Sequence, residues 1–321
     1  MTRKVILDVD TGSDDAVALM TAALHKDVEL VAACSVAGNK DIEKTTENTL
    51  RVMEALNVDV PVYRGCAEPM AKFLCQNRIP LPPFKPVLVD GKEVSMHSDY
   101  LDLPKATRRV GELSAPMFYL DYLRKASEPV TIVAVGPLTN LGVALTMDPD
   151  IFKQNVEEIV IMGGGVTITN VTPSAEFNIW YDPEAAEKVV NCGAKVTFVP
   201  LDATHKAVIT LEDCKRFRNL HTFAGDFAAS LSEQRIAVHT VTQPLYIPDS
   251  AAVHDALAVA YVIDPSVLLD VKHVSLHIGL GDFGEGQTIV DPRYYTQEKN
   301  CYFAYDGDRF KFVNILCEAF K

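Results

Sequence analysis

The stretch Asp8-Val9-Asp10-Thr11-Gly12-Ser13-Asp14-Asp15 puts four carboxylates within eight residues. Like charges this close raise one another's pKa unless positive charge stands among them, and the segment itself holds no Lys or Arg. A hard divalent cation resolves the repulsion, and carboxylate oxygens are the donors that calcium or magnesium selects. Helix capping is the competing explanation, because Ser13 or Asp14 suits an N-cap and acidic residues in a first turn favour the helix dipole. Capping accounts for one or two of the four. It leaves Asp8 and Asp10, on the strand side of the turn, without a reason, so the spacing points to a metal site.

Those carboxylates need elements to hold them. Val5–Leu7 and Val9 read as a strand ending near Asp10, Gly12 permits a sharp turn, and a helix starts near Asp14 with Val17, Met20 and Leu24 at helical spacing. Further strands are expected at Leu30–Ser35, Val130–Val135, Val156–Met162 and Lys195–Pro200. Helices are expected at Thr45–Leu56, Pro137–Met147, Pro183–Cys192 and Asp255–Val262. This strand-then-helix order predicts an α/β fold with an open, mostly parallel sheet and helices on both faces. Ligands of such folds collect outside the carboxyl ends of the strands. Two stretches break the rhythm. Residues 74–108 include Pro80, Pro82, Pro83 and Pro86, which predicts a long loop or insertion. Residues 276–310 carry Gly279, Gly281, Gly284 and Gly286 and then Tyr294 and Tyr295, which predicts loops and edge strands. With no repeat and no dividing linker, residues 1–321 read as one domain with an insertion at about 74–108.

Composition narrows the function. The chain has 30 Lys and Arg against 43 Asp and Glu, a net charge of −13, which disfavours nucleic acid and anionic membranes as partners but not a small neutral ligand. Only three apolar residues follow Arg3 and Lys4 before Asp8, short of the ~7–15 of a secretory signal, and no run approaches the ~18 of a membrane span. Seven scattered cysteines without a C-x-x-C pair read as reduced thiols in a cytoplasmic setting.

An apolar strand ending in Asp-x-Asp resembles the first motif of haloacid-dehalogenase-like phosphatases, in which the first Asp is a nucleophile beside magnesium. It also resembles the D-x-D-x-G-x-D-D signature of the nucleoside hydrolase family, and the Asp14-Asp15 pair favours the second. Further segments of the chain match that family: Val36-Ala37-Gly38-Asn39; Val133-Ala134-Val135-Gly136-Pro137-Leu138-Thr139-Asn140; Met162-Gly163-Gly164-Gly165 followed by Asn170, Glu176, Phe177 and Asn178; Asp182-Pro183-Glu184-Ala185-Ala186; Pro200-Leu201-Asp202-Ala203-Thr204-His205; and His254-Asp255 opening a helix. Gly163–Gly165 also suits a phosphate-cradling loop, but no Lys-Ser/Thr follows it. The chain thus resembles the inosine-uridine-preferring type of nucleoside hydrolase from about residue 3 to its C-terminal region.

That resemblance implies a calcium-dependent hydrolysis of a ribonucleoside to ribose and free base. It implies Asp10 as the base that deprotonates water and as a metal ligand. Asp15, Asp255 and the Val135 carbonyl would complete the metal's protein ligands. Asp14, Asn39 and Asn178 would hold ribose hydroxyls, and Asn170 and Glu176 would face the 5′ end. His254 can donate a proton near neutral pH and is expected to protonate the leaving base, with Tyr246 and His97 as candidate contacts to that base. Asp8 is expected to stand behind the metal site, and His205, His221 and His239 are expected to be structural or surface histidines. A non-catalytic nucleoside-binding protein would keep the same pocket. The resemblance also implies a homodimer or homotetramer.

Overall fold

The computed structural model describes residues 2–75, 78, 87–89, 91–291, 293 and 298–321. The proline-rich run from residue 79 to 86 and the Tyr294-Tyr295 pair lie outside the described residues. The strands are β1 (Arg3–Val9), β2 (Val28–Ser35), β3 (Val62–Arg64), β4 (Val87–Val89), β5 (Lys92–Val94), β6 (Val130–Ala134), β7 (Val156–Met162), β8 (Lys195–Val199), β9 (Val208–Thr210), β10 (Ser250–Ala252), β11 (Leu268–Ile278), β12 (Thr288–Asp291) and β13 (Cys301–Gly307). The helices are α1 (Ser13–Leu24), α2 (Ile42–Ala55), α3 (Ala115–Lys125), α4 (Thr139–Met147), α5 (Pro149–Asn155), α6 (Phe177–Tyr181), α7 (Pro183–Val190), α8 (Leu201–Thr204), α9 (Leu211–Arg218), α10 (Phe223–Thr242), α11 (His254–Ile263) and α12 (Arg309–Ala319).

Nine strands form one sheet in the order β12-β11-β13-β8-β7-β6-β1-β2-β3. It is mostly parallel, with β11 running against both of its neighbours. From β1 the chain moves outward to β2 and β3, then returns to lay β6 on the other flank of β1 before continuing to β7 and β8. The carboxyl ends of β1 and β6 therefore flank a topological switch point, where open α/β sheets form their ligand crevice.

Both faces are covered, as expected from the near-continuous apolar strands. Along β1, Val5, Leu7 and Val9 join a core that includes Val17 and Met20 of α1, Ile236 of α10, Leu257 of α11 and Phe312 of α12. Ile6 points the other way, into a core with Tyr119 of α3, Leu141 of α4 and Val189 of α7.

The structure departs from expectation in two stretches. Within 74–108, β4 and β5 pair as a short antiparallel hairpin. Within 276–310, β12 is an edge strand as expected, but β13 is interior, pairing with β8 on one side and β11 on the other. Burial of Cys301, Phe303 and Ala304 is the physical reason: this segment carries apolar side chains to the core that the neighbouring glycines and tyrosines obscure in the sequence. Among the described residues, no helix is long and apolar enough to cross a membrane.

Candidate active site

The acidic segment folds as its spacing predicts. β1 ends at Val9, Asp10 to Gly12 make the turn, and Gly12 is the N-cap of α1. Asp15 reaches back from the first turn, with Oδ2 accepting from Gly12 N at 2.8 Å and Oδ1 from Asp10 N at 3.1 Å. Capping thus employs Asp15, and it gives no account of Asp10 or Asp14.

The turns after β2 and β6 close on Asp10. Asn39 N donates to Asp10 Oδ2 at 2.6 Å, and Val36 N and Val135 N extend the pairing to Val9 O and Asp8 O at 2.9 and 2.8 Å. A Cβ on Gly38 would stand 2.2 Å from Asp10 Oδ2, and one on Gly136 would stand 2.8 Å from Oδ1. These two positions accept glycine because the backbone itself walls in the carboxylate. From α6, Asn178 donates through Nδ2 to Val135 O at 2.8 Å and to Met162 O at 3.1 Å. A carbonyl has a second lone pair, so this bond fixes the orientation of Val135 O without exhausting it.

Asp255, in the first turn of α11, brings a further carboxylate to the same place. Asp10, Asp14, Asp15 and Asp255 are each at most 4% exposed. Burial and mutual repulsion push Asp10 and Asp255 well above the carboxylate range and Asp15 up to about 6. For Asp10 the repelling neighbour is first Asp15, and for Asp255 it is first Asp14. Oxygens of Asp14 and Asp15 and a ring nitrogen of His97 lie within 4.8 Å of one another. Four buried carboxylates carry more negative charge than one neighbouring guanidinium offsets, and such hard oxygen donors are what a calcium-like cation requires, so the residues fit such an ion.

Sequence reasoning missed the cation that the protein supplies itself. Arg235 of α10 is 2% exposed, and its Nη1 donates to Asp14 Oδ1 at 2.8 Å and to Ser13 Oγ at 2.9 Å. It shares no local motif with the acidic loop, and following Ser232-Glu233-Gln234 it reads in the sequence as an ordinary polar helix residue. His97 is drawn to the same loop: Ser13 N donates to His97 Nδ1 at 3.3 Å and Ser13 Oγ to Met96 O at 2.9 Å. Burial pushes the His97 imidazole down to about 4.

His254 opens α11 beside this cluster, with Nδ1 2.7 Å from Thr204 Oγ1. His205 and His239 are buried around it, their ring centroids 5.6 and 6.1 Å from that of His254. His221, by contrast, is exposed. Burial, Arg235 and the neighbouring histidines hold His254 well below its ordinary pKa. Burial and the positive charge of Arg235 therefore disfavour the protonated ring, against the expectation of an imidazole that readily carries a second proton near neutral pH.

The remaining candidates are spread more widely. Glu176 caps α6, accepting backbone N–H groups from Gly164 at 2.9 Å and Asn178 at 3.0 Å, and burial pushes it up to about 7. Asn170 is exposed, and its Oδ1 accepts from Phe177 N at 3.0 Å. Tyr246 is 83% exposed, with Lys206 Nζ 5.8 Å from its ring centroid, so this conformation does not bring it to the cluster. It lies in an irregular segment whose apolar neighbours do not draw the ring inward.

Asp8 faces the other core, as its alternation with Val9 requires. Tyr119 Oη donates to its Oδ2 at 2.8 Å and Asn140 Nδ2 to the same oxygen at 3.0 Å. Burial pushes Asp8 up to about 7. The unfolded carboxyl ionises near its ordinary value, so folding takes up a proton between about pH 4 and 7, and this group's contribution to stability declines as pH rises through that window. The span corresponds to roughly 4 kcal/mol at most. Asp8→Asn, neutral throughout, is expected to flatten that decline when urea unfolding is compared at pH 5 and pH 7.5. A decline as steep as in the wild type would show that Asp8 does not titrate in this range.

Comparison with known proteins agrees with this geometry. A family model described as inosine-uridine preferring nucleoside hydrolase matches residues 5–314. The pyrimidine-specific ribonucleoside hydrolase RihA of Escherichia fergusonii is 34% identical over 323 residues, covering 100% of this chain and 99% of that protein. Among solved structures, a purine-preferring ribonucleoside hydrolase from Gardnerella vaginalis is similar with a TM-score of 0.84 at 29% identity, covering 99% of this chain and 98% of that one. A structure described as an inosine-guanosine nucleoside hydrolase gives a TM-score of 0.81 at 26% identity, covering 100% and 99%.

Proposed function

The chain belongs to the inosine-uridine preferring nucleoside hydrolase family and is a hydrolase of N-glycosyl bonds in ribonucleosides; from that premise we propose that it cleaves them with a calcium-activated water deprotonated by Asp10. The observation that carries this reading is the gathering of Asp10, Asp14, Asp15 and Asp255, all buried and close enough to repel one another, around the turn that follows β1. Asp10, Asp15, Asp255 and the Val135 carbonyl would hold the ion. When bound, calcium supplies charge neutralisation and acidifies a water molecule.

The protein's own groups do the rest. Asp10, held by Asn39 N, takes the proton of the attacking water. Asp14, Asn39 and Asn178 hold the ribose hydroxyls, and Asn170 and Glu176 border the 5′ end. The bond that breaks leaves positive charge on the ribosyl ring, and the carboxylates beneath it favour that charge. His254 donates to the departing base. Thr204 Oγ1 engages Nδ1, which leaves Nε2 as the ring nitrogen to face the base, and His97 borders the same end of the pocket. Seven free cysteines support a reducing, cytoplasmic setting, and exposed Phe73, Leu74 and Phe283 support assembly as a homodimer or homotetramer.

Release of free base and reducing sugar from a panel of purine and pyrimidine nucleosides tests the reaction. Both classes belong in the panel because the similar enzymes include pyrimidine-specific and purine-preferring ones. Chelation is expected to abolish release and calcium to restore it. A ligand at a hundred times its Kd stabilises the folded state by about 2.7 kcal/mol, so saturating calcium is expected to raise Tm by several degrees, and Asp255→Asn to remove most of that rise. Full activity in chelator, or a calcium response unchanged in Asp255→Asn, overturns the metal assignment.

A further inference from the structure

Arg235 stands where a buried helix side chain would ordinarily be apolar. A guanidinium taken out of water is costly unless its hydrogen bonds are well made, and here they are specific. Nη1 donates to Asp14 Oδ1 and to Ser13 Oγ, while Nε donates to Ala252 O at 3.0 Å. Ala252 ends β10, two residues before His254. One planar group therefore ties together the first turn of α1, helix α10 and the segment that delivers His254 and Asp255. The neighbouring residue of α10 joins the same fastening, with Gln234 Nε2 donating to Ser95 O at 2.8 Å, just before His97.

We propose that Arg235 is a positioning residue for sugar recognition: it fixes the Asp14 carboxylate so that its other oxygen accepts a ribose hydroxyl, and so sets the preference for ribonucleosides over deoxynucleosides. This rests on the reading of Asp14 as a ribose ligand. The guanidinium meets Asp14 on Oδ1 at 2.8 Å, which leaves Oδ2 as the oxygen available to a ribose hydroxyl. The rigid fork of an arginine sets an angle as well as a charge, and a lysine ammonium supplies only the charge. A site built to hydrogen-bond a hydroxyl discriminates strongly against substrates lacking it, and loses that discrimination when its acceptor is free to turn.

The test compares kcat/KM for uridine or inosine with that for the 2′-deoxy and 3′-deoxy analogues in wild type, Arg235→Lys, Arg235→Gln and Asp14→Asn. Arg235→Lys is expected to reduce the preference for the ribonucleoside over one deoxy analogue by about tenfold or more. Arg235→Gln, which can still donate to Asp14, is expected to keep part of it. Equal losses on all substrates, leaving the ratio unchanged, assign Arg235 to support of the fold and overturn the proposal. If Asp14→Asn leaves the ratio unchanged, the ribose reading of Asp14 fails first; if only the Arg235 variants leave it unchanged, the reading stands and the proposal alone fails. Should neither Arg235 variant fold, a crystal structure of the wild-type enzyme with a ribose-bearing inhibitor decides. Asp14 is expected to bridge a sugar hydroxyl and Arg235, and a guanidinium turned away from Asp14 in that complex overturns the proposal.

Discussion

Asp10→Asn is expected to lower kcat by about a thousandfold or more while leaving the protein folded. The side chain keeps its size, which matters where Gly38, Gly136 and Asn39 enclose it. An amide cannot take a proton from water, and removing a general base costs roughly 10²–10⁴-fold. The same change removes one negative charge from the group that would hold the cation, so the loss should lie toward the upper end of that range. Stability moves the other way. Burial and repulsion from Asp15 push the Asp10 carboxyl well above its ordinary range, so a neutral amide relieves repulsion, and the metal-free variant is expected to unfold at or above the wild-type temperature. Steady-state kinetics and thermal unfolding on one preparation check both halves. A variant keeping a tenth of wild-type turnover, a barrier change of about 1.4 kcal/mol, would remove Asp10 from the role of base.

The second large effect concerns the leaving group. His254→Ala is expected to slow inosine or uridine by roughly 10²–10⁴-fold, because the departing base needs a hydrogen-bond or proton donor. A nitrophenyl riboside, whose leaving group is stable as an anion, is expected to be cleaved at nearly the wild-type rate. The surroundings of His254 add a pH expectation. Burial, Arg235, His205, His239 and His97 all oppose protonation, so titration of His254 is displaced to lower pH, and no loss of activity centred near pH 6.5 is expected from this group. A loss of activity centred near pH 6.5 that His254→Ala abolished would mean that a protonated imidazolium is the working form. Equal slowing of both substrates would instead assign His254 to holding the pocket's shape.

The metal expectation and the family could be read locally because the motif is local. A strand, a glycine turn and a helix start occupy the first dozen or so residues, and the alternation of apolar runs that follows specifies an α/β sheet from short-range periodicity. The positions after each strand were likewise visible as candidates, since the carboxyl ends of parallel strands share one edge of the sheet. The separation of Asp8 from Asp10 was not legible in this way, because residues two apart on a strand share a face; it follows from β1 ending at Val9, which leaves Asp10 in the turn, and from Tyr119 and Asn140 binding Asp8.

What the sequence determined by itself, then, is the acidic loop, the class of fold and the family to which its motifs belong: each depends on backbone geometry and side-chain spacing within a few turns of chain. The tertiary structure alone decided which distant groups surround that loop. Arg235 meets Asp14 across 221 positions, Asn140 meets Asp8 across 132, and Thr204 meets His254 across 50. It also placed β13 inside the sheet, buried His205 and His239 beside His254, and left Tyr246 in solvent. No local periodicity encodes those pairings. They follow from strand order and from the packing of helices on each face, and the same packing removes water and so makes the charges of the site act strongly on one another.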